Sequence, residues 1–252
     1  MSPLHRVFAG AALAFGLVTS PHAAVRSAAH PDLSGYWSLS RQQPAPDPDL
    51  QSRLTPGAVV LHDTGPTELP IGDFGGLLPT PEALAAAKAW SPRDEMALNK
   101  VCASPSIIYA MQGPFPLQVL QGTEFVIIRL EYFDMTRIVY MTRGHLPADA
   151  PHSKLGDSVG HWEGSTLVVD TTHLEASTIT NNGLNHSDQV HVVERFKLAP
   201  GGKTLLSTQE FDDPVALQNL GARFIAWDRQ EGQYIYPYEC DPTYGQNYGA
   251  AK

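Results

Sequence analysis

Cationic charge is scarce in this chain: 17 lysines and arginines stand against 26 aspartates and glutamates, a formal net charge of −9 over 252 residues. No basic field exists to neutralise a track of phosphates, so nucleic acid is not an expected partner. Long apolar runs are lacking too. The one sustained run, Val7 to Val18, is shorter than the about 20 residues that a membrane span needs, and no span is expected. Cysteine is limited to Cys102 and Cys240, neither in a CxxC or Cys/His ligand spacing. There is no HExxH, no P-loop and no GxGxxG ahead of a helix, so neither a bound metal nor a nucleotide cofactor is expected. What remains is the 42% hydrophobic, 17% charged make-up of a folded globular protein.

The first two dozen residues follow the order of a secretory signal: Met1 to Arg6 with a basic end, the apolar run, then Thr-Ser-Pro-His-Ala-Ala24. Cleavage near Ala24 or Ala29 would leave an exported, periplasmic or secreted chain. In such a compartment Cys102 and Cys240 can pair, and a disulfide is the expectation, with two buried free thiols as the alternative.

Residues 25–252 read as one domain. A short aromatic strand around Tyr36 and Trp37 leads into an irregular arm over about 41–79, dense in Pro and Gly. A helical pair is expected at 81–101, because Thr80-Pro81-Glu82 and Ser91-Pro92-Arg93 each place a capping oxygen before a proline at the first helical position. The second helix should reach Lys100 or Cys102, and such a pair usually covers a barrel end or sheet edge. From 117 onward the pattern becomes that of strands: 117–121, 124–132, 136–142, 158–162, 165–171, 189–198, 203–211, 223–227 and 233–236. Their short turns, such as Glu163-Gly164 and Pro200-Gly-Gly202, imply antiparallel neighbours. The fold expected is mainly β, an antiparallel barrel or strongly curved sheet.

Alternate residues of a strand share a face, so a charge in line with apolar neighbours is a candidate for the interior. Glu194 lies in line with Val190, Val192 and Phe196; Asp170 with Val168; Arg129 and Glu131 with Phe125 and Ile127; Arg137 and Arg143 with Val139 and Met141. Paired charges beside aliphatic side chains describe a polar-lined cavity, or equally ion pairs that fasten the barrel. Eight histidines follow the leader, five of them between His145 and His186. His145 and His161 sit at strand ends beside Gly or Pro, where barrel mouths carry function. Ser158, in Gly156-Asp-Ser-Val-Gly160, has the spacing of a nucleophile elbow but is followed by a strand instead of a helix, which argues against serine hydrolase chemistry.

The stretch Gly156-Asp-Ser-Val-Gly-His-Trp-Glu-Gly-Ser-Thr-Leu-Val-Val-Asp-Thr171 resembles the GxSxGxWEGDTLVVDT signature of a group of exported, largely uncharacterised bacterial β-rich proteins. Ser165 stands where that pattern usually has Asp. Further matching pieces, Arg143-Gly-His-Leu-Pro147, His186-Ser187, Val193-Glu-Arg-Phe196, Asp213-Pro214 and Glu239-Cys240, extend the resemblance over about 100–241. More loosely, Gly35-Tyr-Trp37 resembles the first-strand signature of lipocalin-like barrels, which implies a barrel around one small hydrophobic ligand.

The leading expectation is an exported barrel that takes a small hydrophobic molecule into a polar-lined cavity and acts on it by cofactor-free acid/base chemistry of lyase, hydratase or isomerase type. His145 or His161 would move the proton; Glu131, Asp170 or Glu194 would orient or share it; Arg137 or Arg143 would stabilise oxyanion charge. Tyr132, Tyr140, Trp162, His186 and Phe196 would contact the substrate. A non-catalytic binding or carrier protein is the alternative, and a metal-dependent hydrolase or oxidoreductase the third reading.

Overall fold

The computed structural model describes residues 30–247 apart from Pro66; the expected leader lies outside them. Twelve strands are present among these: β1 (Gly35–Leu39), β2 (Val59–Val60), β3 (Leu117–Gln121), β4 (Phe125–Leu130), β5 (Thr136–Tyr140), β6 (Asp157–Glu163), β7 (Thr166–Thr172), β8 (Ser177–Thr180), β9 (Leu184–His186), β10 (His191–Leu198), β11 (Thr204–Asp212) and β12 (Gly221–Gln230). Nine close into a barrel in the order β1-β3-β4-β5-β6-β7-β10-β11-β12, with β12 returning to β1. Closure removes the exposed edges that an open sheet would carry. The seam is shared: the end of β12 pairs with β1, and its start pairs with β2.

The barrel is antiparallel except at β5 and β6, which run parallel over two residue pairs, Val139↔Ser158 and Tyr140↔Val159. A long crossing connection, 141–156, makes that direction possible. The strands approach closely there. A side chain at Gly160 would lie 2.7 Å from Val139 Cγ1 and 2.8 Å from Met141 Sδ, so only glycine lets them meet.

Interior-facing residues form one continuous apolar core from Trp37 and Leu117 through Val126, Ile128, Val139, Val169, Val192 and Phe196 to Trp227. For β4 the interior face is Val126, Ile128 and Leu130; Phe125 and Arg129 point outward and Glu131 lies beyond the strand. This corrects the facing read from the sequence. Both faces of β4 carry apolar residues, so alternation alone cannot orient it.

One barrel end is plugged by a short helix that carries no sequence signal, α4 (Ile107–Ala110). Ile107 and Ile108 are fully buried in it. Of the expected helical pair, α2 (Pro81–Ala89) is capped by Thr80 as read from the sequence, and it packs beside β9. Its successor α3 (Pro92–Glu95) stops well short of Cys102. Leu98 is 57% exposed, so a longer helix would have no apolar face to bury, and short helices need one. The arm carries α1 (Pro48–Ser52) on the outer wall, where Lys197 meets Asp47 and Asp49, and Glu210 accepts from Thr55; farther on it sends Leu61, Asp63 and Leu77 into buried positions.

Two further differences concern residues that read as loop or strand. The hairpin β8–β9 was not legible, because its two strands are short and only Ile179, Thr180, Leu184 and His186 of their residues are buried. Residues 233–236 form no strand. They belong to an extended segment that Cys240 fastens to Cys102 through a disulfide with Cα atoms 5.7 Å apart. No helix among the described residues is long and apolar enough to cross a membrane.

Candidate functional site

Strand alternation divides the charged residues singled out from sequence into two groups on opposite sides of the barrel wall. Arg137 and Glu194 face inward, each 1% exposed, and pair at 2.5 Å. Arg137 also donates to the hydroxyls of Ser158 (3.0 Å) and Thr171 (2.7 Å). Ser158 is thus an interior acceptor. Glu194, Gln209 and Arg223 lie in register across β10, β11 and β12. Gln209 donates to Glu194 at 3.3 Å, and Arg223 donates to Gln209 at 3.4 Å and makes a two-pronged ion pair with Asp63 at 2.8 and 2.7 Å.

The remaining donors of this chain reach the plug and β8: Gln209 donates to the Ile107 carbonyl, and Arg223 to those of Ile108 in α4 and Ile179 in β8. The interior charges form ion pairs with one another, and Gln209 and Arg223 tie α4 to the barrel. At no more than 3% exposed, these side chains are packed into the core, where the sequence alone leaves open either a cavity lining or ion pairs that fasten the barrel. Phe196 packs in the same core, 6.4 Å from Trp227.

The second group is a hydrogen-bonded relay on the outer face of β6 and β7. Asp157 pairs with Arg143 at 2.5 Å, accepts from Leu146 N at 2.9 Å and bonds His145 Nδ1 at 3.0 Å. His145 Nε2 bonds Asp170 at 2.9 Å, and the same Asp170 oxygen bonds His191 at 2.8 Å. Burial works against the charge of Asp157, yet Arg143, the Leu146 amide and His145 hold its carboxyl down to about 2. Asp170 is also lowered, against its own burial, by the two histidines, and its hydrogen bond raises His191. Arg143 stacks 3.7 Å over Tyr140.

Of the residues singled out from sequence, the fold brings His145, Asp170, Arg143 and Tyr140 into one cluster, together with Asp157 and His191, which were not singled out. Asp157 lay within the quoted signature, but nothing in a strand pattern says that its carboxylate reaches back to a loop. His161 is elsewhere, 61% exposed beside Glu163, and Trp162 stacks on His30. Among the described residues no group of three or more His, Cys, Asp or Glu side chains is arranged to hold a metal ion.

A cleft of about 480 Å³ lies over the plugged end of the barrel, within the roughly 300–1,000 Å³ of small-molecule sites. Its aromatic wall is Trp90, Tyr109, Tyr132 and Phe133; Lys100, Lys154, Ser177, Asn181 and Asn185 supply polar groups. A recess of about 420 Å³, lined in part by Glu68 and Ile71, shares Trp90, Glu95, Met96 and Asn181 with it. Glu68 accepts from Tyr109 at 3.1 Å and from Asn181 at 2.8 Å. Burial, reinforced by Glu68, pushes the Tyr109 phenol up, so it stays a donor. Burial likewise raises Tyr132.

The cleft walls depend on special backbone. Gly183, at φ +98°, lets the β8–β9 hairpin come against Trp90; a Cβ there would lie 2.6 Å from the Trp90 Cβ. Phe133 and Asp134 both have φ of 53°, a conformation that costs about 1–3 kcal/mol for each non-glycine residue and persists only where its surroundings enforce it. Behind the floor, Ser106 Oγ and His186 Nε2 are 2.7 Å apart, and His186 Nδ1 bonds the Ser187 carbonyl. Burial drives His186 down to about 4, so it is neutral, donating from Nδ1 and accepting from Ser106. Both residues are buried, so His186 supports the cleft without facing a ligand.

Of the substrate-contact residues expected from sequence, only Tyr132 lines the cleft. Glu131, expected as an acid/base group, instead accepts from Tyr236 N at 2.9 Å. Trp90, Tyr109, Phe133 and Lys154 were missed, since they come from three loops and a plug that no periodicity marks. No protein-family model matches the chain, and no curated protein matches it.

Proposed function

We propose that this chain is an exported binding or carrier protein that holds a small amphiphilic molecule in the cleft over the plugged barrel end. The apolar body of the ligand would lie against Trp90, Tyr132 and Phe133, with an anionic or hydroxyl group toward Lys100, Lys154 and Asn181. The observation that carries this reading is the cleft itself, of ligand size, with aromatic surface on one side and convergent polar groups on the other. The disulfide fits an oxidising compartment.

Binding is favoured over cofactor-free lyase or isomerase chemistry by placement. A general acid or base must come within hydrogen-bond reach of the atom it serves. None of His145, His161, Glu131, Arg137, Arg143, Asp170 and Glu194 lines the cleft, and Tyr109 is held as a donor.

The test is native mass spectrometry of the mature protein from its own compartment, followed by fluorescence titration with anilinonaphthalene sulfonate, an aromatic anion of the class described. A co-purifying small molecule that the probe displaces, with Trp90→Ala and Lys100→Ala each weakening the probe by about tenfold, or 1.4 kcal/mol, is the expected result. No binding to the wild type, or binding unchanged by both substitutions, would overturn the proposal.

A further inference from the structure

The aromatic wall of the cleft stands on residues whose backbone would not choose that shape unaided. Phe133 and Asp134 follow one another with φ of 53°, in the short connection between β4 and β5. What enforces this shape is a strap formed by residues 234–240. Glu131 accepts from Tyr236 N at 2.9 Å, and Asp134 accepts from Tyr238 N at 3.0 Å. Two carboxylates thus grip alternate amides of one extended segment. The Tyr238 ring closes on the same turn, 4.7 Å from Phe133 and 5.5 Å from Tyr132, while Phe115 stacks on Tyr132 at 4.5 Å.

The strap then passes to the other wall. Cys240 is bonded to Cys102, and Lys100, Val101 and Ala103, on either side of Cys102, line the cleft together with Tyr132 and Phe133. One covalent fastening therefore joins the segment that shapes the aromatic wall to the segment that forms its neighbour. The barrel core does not depend on the strap: residues 233–240 are outside every strand and helix, and Tyr234 and Tyr236 are 64% and 63% exposed.

We infer that residues 234–240 are a positioning strap for ligand binding: Glu131 and Asp134 are positioning residues that act through Tyr132 and Phe133, and the Cys102–Cys240 bond sets the spacing of the two walls. The affinity of the cleft is then redox-dependent while the barrel is not. A thiol reductant supplies two electrons and two protons, and the bond becomes two thiols. This rests on the cleft being the ligand site.

Two measurements on the full mature chain test it. Hydrogen exchange, which needs no ligand, compares the wild type with Cys102→Ser/Cys240→Ser. Faster exchange at both 100–103 and 131–135, with barrel strands unchanged, is expected; unchanged exchange at 131–135 would overturn the strap. Titration with anilinonaphthalene sulfonate then reads the consequence. The double serine variant and Asp134→Ala should each weaken the probe by about tenfold. Asp134→Asn, which keeps an acceptor for Tyr238 N and tolerates the left-handed conformation, should restore it to within about twofold.

Strap variants that remain folded and bind the probe as the wild type does would overturn the inference while leaving the cleft as ligand site. Failure of the wild type to bind, with the exchange result as expected, would overturn the ligand reading and keep the strap as a purely structural device. Equal loss in Asp134→Ala and Asp134→Asn would remove Asp134 from the positioning role.

Discussion

Replacing Glu194 by glutamine tests whether the interior charges hold the barrel together. Arg137 and Glu194 are each 1% exposed and 2.5 Å apart, and the other Glu194 oxygen accepts from Gln209 at 3.3 Å. A glutamine amide can offer its oxygen to only one of these two donors. If it faces Arg137, its NH2 meets the Gln209 NH2; if it is reversed, its NH2 meets the guanidinium. Gln209 cannot simply flip, because its own oxygen accepts from Arg223 and its nitrogen donates to the Ile107 carbonyl. The variant therefore keeps a buried cation without its counter-charge, which costs about 3–5 kcal/mol. For a domain of this size that corresponds to a fall in Tm of about 6–20 °C.

The assay is thermal unfolding by circular dichroism, with urea titration at 25 °C as a check. The double variant Arg137→Met/Glu194→Leu removes both charges and should recover most of the loss, since apolar replacements of a buried pair are often neutral or stabilising. A fall for Glu194→Gln below about 1 kcal/mol, or a double variant worse than the single one, would refute the argument that pairing, and not packing alone, secures this region.

The outer relay gives a pH dependence of opposite kind at its two ends. Asp157 sits at about 2 in the folded chain against about 3.9 unfolded, so its contribution of about 2–3 kcal/mol is present above pH 4 and is lost as pH falls toward 2. Asp157→Asn should lower stability by that amount at pH 7 and make no difference near pH 2, read by urea unfolding across pH. His191 is raised by Asp170, so its contribution is full below about 6.5 and disappears as pH rises through its folded value; His191→Gln should flatten that upper limb. Gly160→Ala should destabilise by about 1–3 kcal/mol through overpacking against Val139 and Met141, checked by thermal melting. Gly183→Ala combines a clash with Trp90 and an unfavourable φ of +98°, and should cost more than about 1 kcal/mol. It should also weaken the aromatic probe, whereas Gly160→Ala should leave probe affinity unchanged.

Local regularity decided what was legible in the sequence. Alternation over 189–198 and 203–211, with a Pro-Gly-Gly turn between, suffices for antiparallel neighbours, and it put Glu194 inside beside Val192 and Phe196. The Thr80-Pro81 pair carried its own capping geometry, so the start of α2 was legible to the residue. For Cys102 and Cys240 a compartment argument favoured pairing over two free thiols, and two cysteines have only one way to pair within the chain; the fold shows the bond.

The candidate site is another matter, since its parts are far apart in sequence and individually unremarked. Asp157 and Asp170 reach His145 because outward positions on paired strands stand side by side, a fact of register that no single strand reveals. The inward position of Ser158 turned an apparent nucleophile into an acceptor for Arg137. Lys100, Tyr109, Phe133, Lys154 and Asn181 share a cleft only once α4 has plugged the barrel and Cys240 has drawn the tail across the Phe133 turn. The sequence by itself determined most of the barrel strands, because alternation and turn residues mark them, and it made a barrel and a Cys102–Cys240 bond expectations that only the fold decided. Tertiary structure decided which charges face one another and where a ligand-sized space remains, because burial and hydrogen bonding are settled between segments that the chain brings together only on folding.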